Sequence, residues 1–160
     1  MLGSCQPAYA SDAINIIKAE EGFSASPYTG PEGYIHIGYG YKLHSDLGQD
    51  PNDFLLRINK EMASDLLEIQ VQGVRDALLL GRNSSTFNKQ NQATKDVLIS
   101  MTYQLGYTGV SKFTRMWSAL EVGNMDIAAK EALDSRWYIQ TPNRATRHAY
   151  TIETSKPYVY

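Results

Sequence analysis

Residues 12–41 read DAINIIKAEEGFSASPYTGPEGYIHIGYGY, and the spacing of apolar residues changes within this stretch. Up to Gly22 the spacing is helical, which predicts a helix from about Asp12 to Glu21 with Ser11 as its N-cap. Prolines and glycines then mark turns, and residues 34–41 alternate with the period of a strand. The stretch therefore predicts a short helix followed directly by a small β region.

The predicted helix ends on two adjacent carboxylates. Glu21 continues the apolar stripe of Ile14 and Ile17, whereas Glu20 lies on a second, weaker stripe, so spacing alone does not choose between the two acids. Partial burial raises the pKa of a carboxyl group, which suits an acid that must donate a proton near neutral pH. Glu21 is thus a candidate general acid, and the ordinary alternative is an exposed glutamate at a helix end.

The predicted strand has one bulky face and one bare face. Tyrosines and isoleucines occupy the first, and the second carries Tyr34, His36 and two glycines, Gly38 and Gly40. A nearly bare strand face leaves room for a ligand or another backbone to lie against it.

The remainder of the chain is predicted to be helical. A long helix from about Asn59 to Leu80 would span roughly 30 Å, enough to bridge two lobes. Thr141 before Pro142 marks another helix start. Further helices are predicted at residues 88–105, 113–122, 125–133 and 142–153. The 160 residues predict one α+β domain with two lobes: residues 12–55 with the β segment, 59–80 as the bridging helix, and 81–160 as a helical lobe.

Composition argues against several classes of protein. A net charge of −2 and the absence of a basic stripe disfavour nucleic-acid binding. The single cysteine, Cys5, cannot form a disulfide within the chain, and the three histidines show no metal-ligand spacing. No run reaches the roughly 18 apolar residues of a membrane span, so we expect no stable membrane insertion. Residues 1–10 lack the pattern of a signal peptide, although Leu2 to Cys5 has a weak similarity to a lipoprotein cleavage box.

Three blocks of sequence resemble the phage-type lysozymes, glycoside hydrolase family 24, and they occur in family order. They cover most of the chain from Ile14 to Arg147. The first block consists of Glu21-Gly22-Phe23, Tyr28 and residues 32–40 (EGYIHIGYG). The second consists of Gln104, Gly106 and residues 108–110 (TGV) and 113–114 (FT). The third consists of residues 135–138 (SRWY), residues 140–145 (QTPNRA) and Arg147.

The resemblance implies a lysozyme-like α+β fold and a muramidase activity. The enzyme would hydrolyse the bond between N-acetylmuramic acid and N-acetylglucosamine in peptidoglycan, with no cofactor and with Glu21 as the general acid. The resemblance also implies a monomer that binds peptidoglycan glycan strands. Such a protein would collect in the cytoplasm of a host bacterium before lysis and then act on the cell wall.

Two positions depart from the family pattern. Gly30 stands where the family has an acidic residue or a cysteine, and His36 stands where it has a threonine that helps to hold the attacking water. One hypothesis is that His36 takes over as base or nucleophile. A second is that a nearby carboxylate, Glu32 or Asp46, moves in. A third is that the protein binds glycan with reduced or no cleavage, as a binding module or, less directly, as a partner recognised by another protein.

The resemblance also predicts side chains that bind substrate. A sugar could stack on the ring of Tyr103. Met116 and Glu131 stand where serine and asparagine are expected, which would alter contacts with sugar or peptide. Arg136 is predicted to bind substrate, and the ordinary alternative is that it forms an ion pair with Glu32. The complete predicted set is Glu32, Lys42, Tyr103, Gln104, Met116, Glu131 and Arg136.

Overall fold

The computed structural model describes residues 11–44 and 46–160, so Cys5 and the N-terminal residues 1–10 lie outside the described part of the chain. The described residues form a three-stranded antiparallel sheet, eight α-helices and one 3₁₀ turn. Their order is α1 (Ala13–Glu21), β1 (Ser24–Thr29), β2 (Ile35–Gly38), β3 (Tyr41–His44), the 3₁₀ turn (Pro51–Asp53), α2 (Lys60–Leu80), α3 (Ser84–Lys89), α4 (Gln92–Ser111), α5 (Thr114–Glu121), α6 (Met125–Leu133), α7 (Arg136–Gln140) and α8 (Pro142–Thr154). The predicted α+β class is confirmed.

The start of α1 is held by α4 rather than by its own cap. The expected N-cap role of Ser11 is wrong: its hydroxyl donates a hydrogen bond to Oδ1 of Asp96 at 2.8 Å, and the backbone N–H of Asp12 donates to Oδ2 at 2.9 Å. Asp96 is buried, and these donors, together with Nε2 of Gln92 at 2.8 Å from Oδ1, satisfy its carboxylate in the core. A long-range contact therefore replaces the local cap.

The predicted strand over residues 34–41 is in fact two strands. The chain reverses at Tyr39 and Gly40, and β2 pairs with β3 in an antiparallel hairpin. The alternating pattern continues across the two-residue turn, which is why periodicity alone did not reveal it. The sheet also contains β1, which its polar and proline-containing sequence did not predict, paired with β2.

The long helix α2 connects the sheet to the helical part of the chain. It starts after Asn59, whose side chain accepts a hydrogen bond from the N–H of Met62 at 2.8 Å, as an N-cap does. It contacts β2 and β3 as well as α1, α3 and α4. Its predicted extent, about residues 59–80, agrees closely with the structure. The predicted division of the chain into 12–55, 59–80 and 81–160 stays a prediction.

The helical part differs from prediction in two short helices and in α4, which was predicted over residues 88–105 and covers Gln92–Ser111 with a bend. Residues 84–89 form a separate helix, α3, and residues 136–140 form α7; neither was predicted. Gly106, with φ 73° and ψ 159°, bends α4 where the predicted helix ended. Helices α5, α6 and α8 lie within a residue of their predicted bounds.

Helix α2 approaches β2 closely because residue 38 is a glycine. Gly38 has φ +66°, and a Cβ there would lie 3.1 Å from Cβ of Ala63 and 3.2 Å from Cδ1 of Ile58. A side chain would be strained in this backbone conformation and would also push against the first turns of α2.

We predict that Gly38→Ala lowers the free energy of unfolding by about 1–3 kcal/mol, through left-handed strain and overpacking. Gly73→Ala is the matched control: it lies within α2 with open space around it, so it should raise stability by about 0.5–1 kcal/mol. Urea unfolding of both variants checks this. A Gly38→Ala protein as stable as the parent would contradict the close packing of α2 on β2.

Candidate active site

Glu21 ends α1 and is held by one arginine. Nη1 of Arg144 donates to Oε1 of Glu21 at 2.6 Å, and the side chain of Glu21 is 24% exposed while that of Arg144 is 7% exposed. The second oxygen, Oε2, lies 3.8 Å from where a Cβ on Gly40 would be. Among the described residues, Oε2 has no hydrogen-bond donor. Glu21 therefore presents one bound oxygen and one open oxygen, the latter towards the β2–β3 turn.

Glu20 is the more buried of the two acids, and both of its oxygens are occupied. Arg147 donates to them from Nε at 2.9 Å and from Nη2 at 2.7 and 2.9 Å, and the hydroxyl of Tyr158 donates to Oε1. Burial and this hydrogen bond raise the pKa of Tyr158, so its phenol remains a donor. The side chain of Glu20 is only 7% exposed. The stripe that carries Glu20, predicted as the weaker one, is thus the more deeply buried.

The imidazole of His36 occupies the space beside Gly30. A Cβ on Gly30 would lie 2.5 Å from Nδ1 and 2.6 Å from Cε1 of His36, distances that real Cβ atoms do not adopt. Nδ1 lies 3.0 Å from the carbonyl oxygen of Tyr34. A carbonyl can only accept, so Nδ1 carries the proton in the neutral ring and Nε2 keeps its lone pair. The two departures from the family pattern are therefore sterically linked.

His36 belongs to a row of side chains across the sheet. It pairs with Tyr28 on β1 and with Lys42 on β3, so the three residues share one sheet face. The ring of Tyr28 lies 5.8 Å from that of His36, and Nζ of Lys42 lies 3.7 Å from the ring centre of Tyr34. Burial, and then the charge of Glu21, raise the pKa of Tyr28. The carboxylate of Glu21 is therefore near enough to this row to affect the pKa of Tyr28.

Tyr103 joins three parts of the structure near Glu21. Its hydroxyl donates to the carbonyl oxygen of Tyr39 at 2.6 Å and lies 2.9 Å from Oε1 of Gln70. Burial first, and the charge of Glu21 second, raise its pKa, so the phenol stays protonated. Its hydroxyl also lies 3.6 Å from where a Cβ on Gly40 would be. Helix α4 is thereby connected to the β2–β3 turn and to α2.

A concave region lies between α4, α5, α6 and α7. Three predicted binding residues are among those lining this cavity of about 730 Å³, namely Met116, Glu131 and Arg136. Met116 is fully buried and forms part of the wall, Arg136 is exposed, and Glu131 lies 4.0 Å from Arg115. The cavity thus combines an apolar wall with charges of both signs.

Gln104 connects this cavity to the region around Glu21. Its Oε1 accepts a hydrogen bond from Nε1 of Trp137, a cavity-lining residue, at 2.8 Å, and it follows Tyr103 in the chain. Glu32 is exposed in the turn before β2, and it forms no ion pair with Arg136 in the described part of the chain. The structure thus brings Tyr103 to Glu21, keeps His36 and Lys42 on the sheet face, and separates Glu32 from the cavity.

The sequence analysis missed a buried polar cluster behind Arg144. His148 and Ser100 are both fully buried, and each is hydrogen-bonded to Arg144. The buried stripe of α8 was the available signal, because Arg144 and His148 are four residues apart on it.

Within residues 11–44 and 46–160, no group of three His, Cys, Asp or Glu residues could hold a metal ion. No helix in these ranges is long and apolar enough to cross a bilayer.

Burial lowers the pKa of His148 to about 3, with further contributions from the charges of Arg144 and Arg147. An unfolded histidine has a pKa near 6.5, so between these values only the unfolded chain binds the proton. This contribution to stability is complete above about pH 6.5 and is lost as pH falls, by up to about 1.4 kcal/mol per pH unit.

We therefore predict that His148→Gln flattens the pH dependence of the free energy of unfolding between about pH 4 and 6. Urea unfolding of parent and variant at several pH values measures this. Parallel curves for the two proteins would contradict a neutral, buried His148.

The chain is similar to known proteins over most of its length. Residues 18–146 match the family model described as phage lysozyme. The chain is 27% identical over 155 residues to the pre-baseplate central spike protein Gp5 of Enterobacteria phage T4, covering 87% of this chain but 27% of the spike protein. It is 25% and 26% identical to probable T4-type lysozymes 2 and 1 of Dictyostelium discoideum, covering 90% of this chain and 95% of each relative. The family model spans most of the chain, and the chain belongs to the phage lysozyme family.

Proposed function

We propose that this protein is a muramidase that hydrolyses the glycosidic bond between N-acetylmuramic acid and N-acetylglucosamine in peptidoglycan. Membership of the phage lysozyme family and two relatives named as probable lysozymes support a glycosidase. Glycoside hydrolysis needs an acid on one side of the bond and a second group that activates water or attacks carbon. Glu21 and His36 are our candidates for these roles.

The setting of Glu21 supports the role of general acid. Arg144 holds Oε1, and the open Oε2 is available to carry a proton towards the leaving oxygen. The end of a helix is a rigid support, which favours accurate aim at the scissile bond. Glu20, in contrast, has no open oxygen, and its contacts with Arg147 and Tyr158 are structural.

The steric match of Gly30 and His36 is the observation that supports His36 as the base or nucleophile. An imidazole fills the space that a side chain at residue 30 would need, and its Nε2 has a lone pair because Nδ1 bonds the carbonyl of Tyr34. The group that lies in the place of the family's acidic residue is thus an imidazole, a side chain that is able to act as base or nucleophile.

Each alternative for His36 has a distinct stereochemical outcome. As nucleophile, Nε2 forms a bond to the anomeric carbon while the bond to the leaving oxygen breaks and Glu21 protonates that oxygen. Water then displaces the imidazole and gives its proton to the carboxylate of Glu21, with net retention. As base, Nε2 takes a proton from water, whose oxygen attacks the same carbon, with inversion. Neither reaction needs a cofactor.

The remaining predicted residues are proposed to bind the glycan strand and its peptide. Tyr103 and Gln104 would contact sugar between Glu21 and the cavity. The cavity would take a substituent with both apolar and charged parts, at Met116, Glu131 and Arg136. Lys42 and Glu32 would contact the strand from the sheet side. We further propose a monomer that is held in the host bacterial cytoplasm until lysis and then acts on the cell wall.

The lack of an acid at residue 30 favours a second candidate, glycan binding with little or no cleavage. Gly30 offers no side chain for chemistry, and a backbone cannot replace a carboxylate as base or nucleophile. Release of reducing ends from purified peptidoglycan between pH 5 and 8 separates the two candidates. Binding without new reducing ends would favour the second one.

We predict that Glu21→Gln lowers turnover by at least about 10²-fold, because an amide cannot donate the acid proton. The adjacent Glu20→Gln is the matched control. It should keep turnover within a few-fold and lower the free energy of unfolding by about 1.5–3 kcal/mol, since it removes charge-assisted hydrogen bonds. Release of reducing ends and urea unfolding measure both. A loss of less than tenfold in Glu21→Gln would reject Glu21 as the acid.

Gly30→Ala should displace the imidazole of His36 and lower turnover to about the level of His36→Ala, because the new Cβ and the ring cannot share this space. The double variant Gly30→Asp/His36→Thr restores the family residues at both positions and should recover turnover with inversion. The anomer first formed, followed by NMR, distinguishes the mechanisms. Full activity in Gly30→Ala or His36→Ala would exclude His36 as the second catalytic group and would favour Glu32 or Asp46 in that role.

A further inference from the structure

Behind Arg144, three side chains form a closed cycle of hydrogen bonds. Nη2 of Arg144 donates to Oγ of Ser100 at 3.1 Å, Oγ lies 2.9 Å from Nε2 of His148, and Nδ1 of His148 lies 2.8 Å from the backbone oxygen of Arg144. Nη2 of Arg144 also donates to the backbone oxygen of Ser100 at 3.2 Å. Helices α4 and α8 supply all of these groups, and the cycle uses Nη2 of Arg144 whereas Glu21 binds Nη1.

The direction of each hydrogen bond in the cycle follows from its acceptors. A backbone carbonyl only accepts, so Nδ1 of His148 carries the proton and Nε2 has a lone pair. The hydroxyl of Ser100 therefore donates to Nε2, and its oxygen lone pairs face the guanidinium of Arg144. A reversed hydroxyl would turn its proton towards a cation. The neutral imidazole thus fixes the one orientation of Ser100 in which this serine accepts from Arg144.

The cycle is enclosed on every side. Ser100 and His148 are 0% exposed. The imidazole meets the ring of Trp137 at 5.6 Å and that of Tyr158 at 5.0 Å, both edge-on. The charged or titratable neighbours of His148 are Arg144 and Arg147 on its own helix and Tyr158, whose hydroxyl lies 3.3 Å from Nδ1 and bonds Glu20 of α1. Water cannot replace a contact that is lost here.

Arg144 depends on this cycle for its orientation. Its polar side-chain contacts in the described part of the chain are with Glu21 through Nη1 and with Ser100 through Nη2, and its buried Nε has no partner. Ser100 is therefore the only polar anchor that locates the guanidinium independently of Glu21 among the described residues. A guanidinium that rotated would carry Oε1 of Glu21 with it and change the direction of Oε2.

We propose that Ser100 and His148 are positioning residues, which hold the guanidinium of Arg144 and through it aim the open oxygen of Glu21 at the glycosidic bond. The inference rests on the proposed function, in which Glu21 is the acid. A polar cluster in a helical core is costly to bury and gives little net stability compared with apolar side chains. Its advantage is a single geometry, which a catalytic carboxyl group requires.

The test compares two nearly isosteric variants of α4. Ser100→Ala removes the hydroxyl that accepts from Arg144 and leaves the backbone oxygen of residue 100 as the remaining acceptor. The control Thr102→Val removes a buried hydroxyl whose partner within the described part of the chain is the backbone oxygen of Leu98, at 2.7 Å. With peptidoglycan as substrate, we expect Ser100→Ala to lower kcat by about tenfold and to leave KM within about twofold, since only the aim of Glu21 changes. Thr102→Val should keep the parent values.

An Arg144→Lys background makes the test specific. There Ser100→Ala should have no further effect on kcat, because the serine acts through the guanidinium. Side-chain nitrogen NMR of the full chain adds a measurement that needs no substrate. The parent should show slowly exchanging, separate Nη protons for Arg144 and a proton on Nδ1 of His148, and Ser100→Ala should merge the Nη signals.

The outcomes separate the inference from the proposed function. An active parent with unchanged kcat in Ser100→Ala, or a loss confined to KM, overturns the inference. An inactive parent removes the proposed function, and the NMR signals then decide whether Ser100 orients Arg144: merged Nη signals in Ser100→Ala support this, and unchanged signals overturn it.

Discussion

The ion pair between Arg144 and Glu21 is the contact on which the arrangement of this molecule depends. Its partners are 123 residues apart, on α8 and α1, and Nη2 of the same arginine reaches α4. A buried guanidinium is costly unless its charge is paired, and here Nη1 and Nη2 have partners while Nε has none among the described residues. The three helices must therefore pack in the one arrangement that brings a carboxylate and a serine to Arg144, and this arrangement also places Glu21 beside the sheet.

The sheet approaches Glu21 closely because glycines occupy the points of contact. Gly38 admits the first turns of α2, and Gly40 lies against the hydroxyl of Tyr103 and Oε2 of Glu21. Gly30 leaves space for the imidazole of His36. At Gly30 and Gly38 a Cβ would crowd the neighbouring side chains, whereas at Gly40 the positive φ of +86° is what favours glycine.

Two neighbouring glutamates take opposite roles because they leave α1 in different directions. Glu20 turns into the cluster of Arg147, Tyr158 and His148, where both its oxygens are satisfied. Glu21 turns towards the β2–β3 turn with one oxygen open. The division follows from how each carboxylate is satisfied, since full satisfaction stabilises a fold but leaves nothing for chemistry. The same logic separates His148, which is enclosed and neutral, from the half-exposed His36.

The sequence by itself determined those elements whose signals are local. The apolar stripe of α2, the proline at the start of α8 and the motif that contains Glu21 predicted the α+β class, most helices and the candidate acid. Tertiary structure decided the rest. The hydroxyl of Ser11, which was expected to accept at the start of α1, donates to Asp96 instead. Strand β1 formed despite its polar sequence because β2 offered a partner, and Tyr39 and Gly40 turned one apparent strand into a hairpin. Gly30 and His36 are six positions apart, and Ser100 lies 44 and 48 positions from its partners Arg144 and His148. No local pattern encodes such contacts, because their energy depends on which groups the folded chain brings together and removes from water.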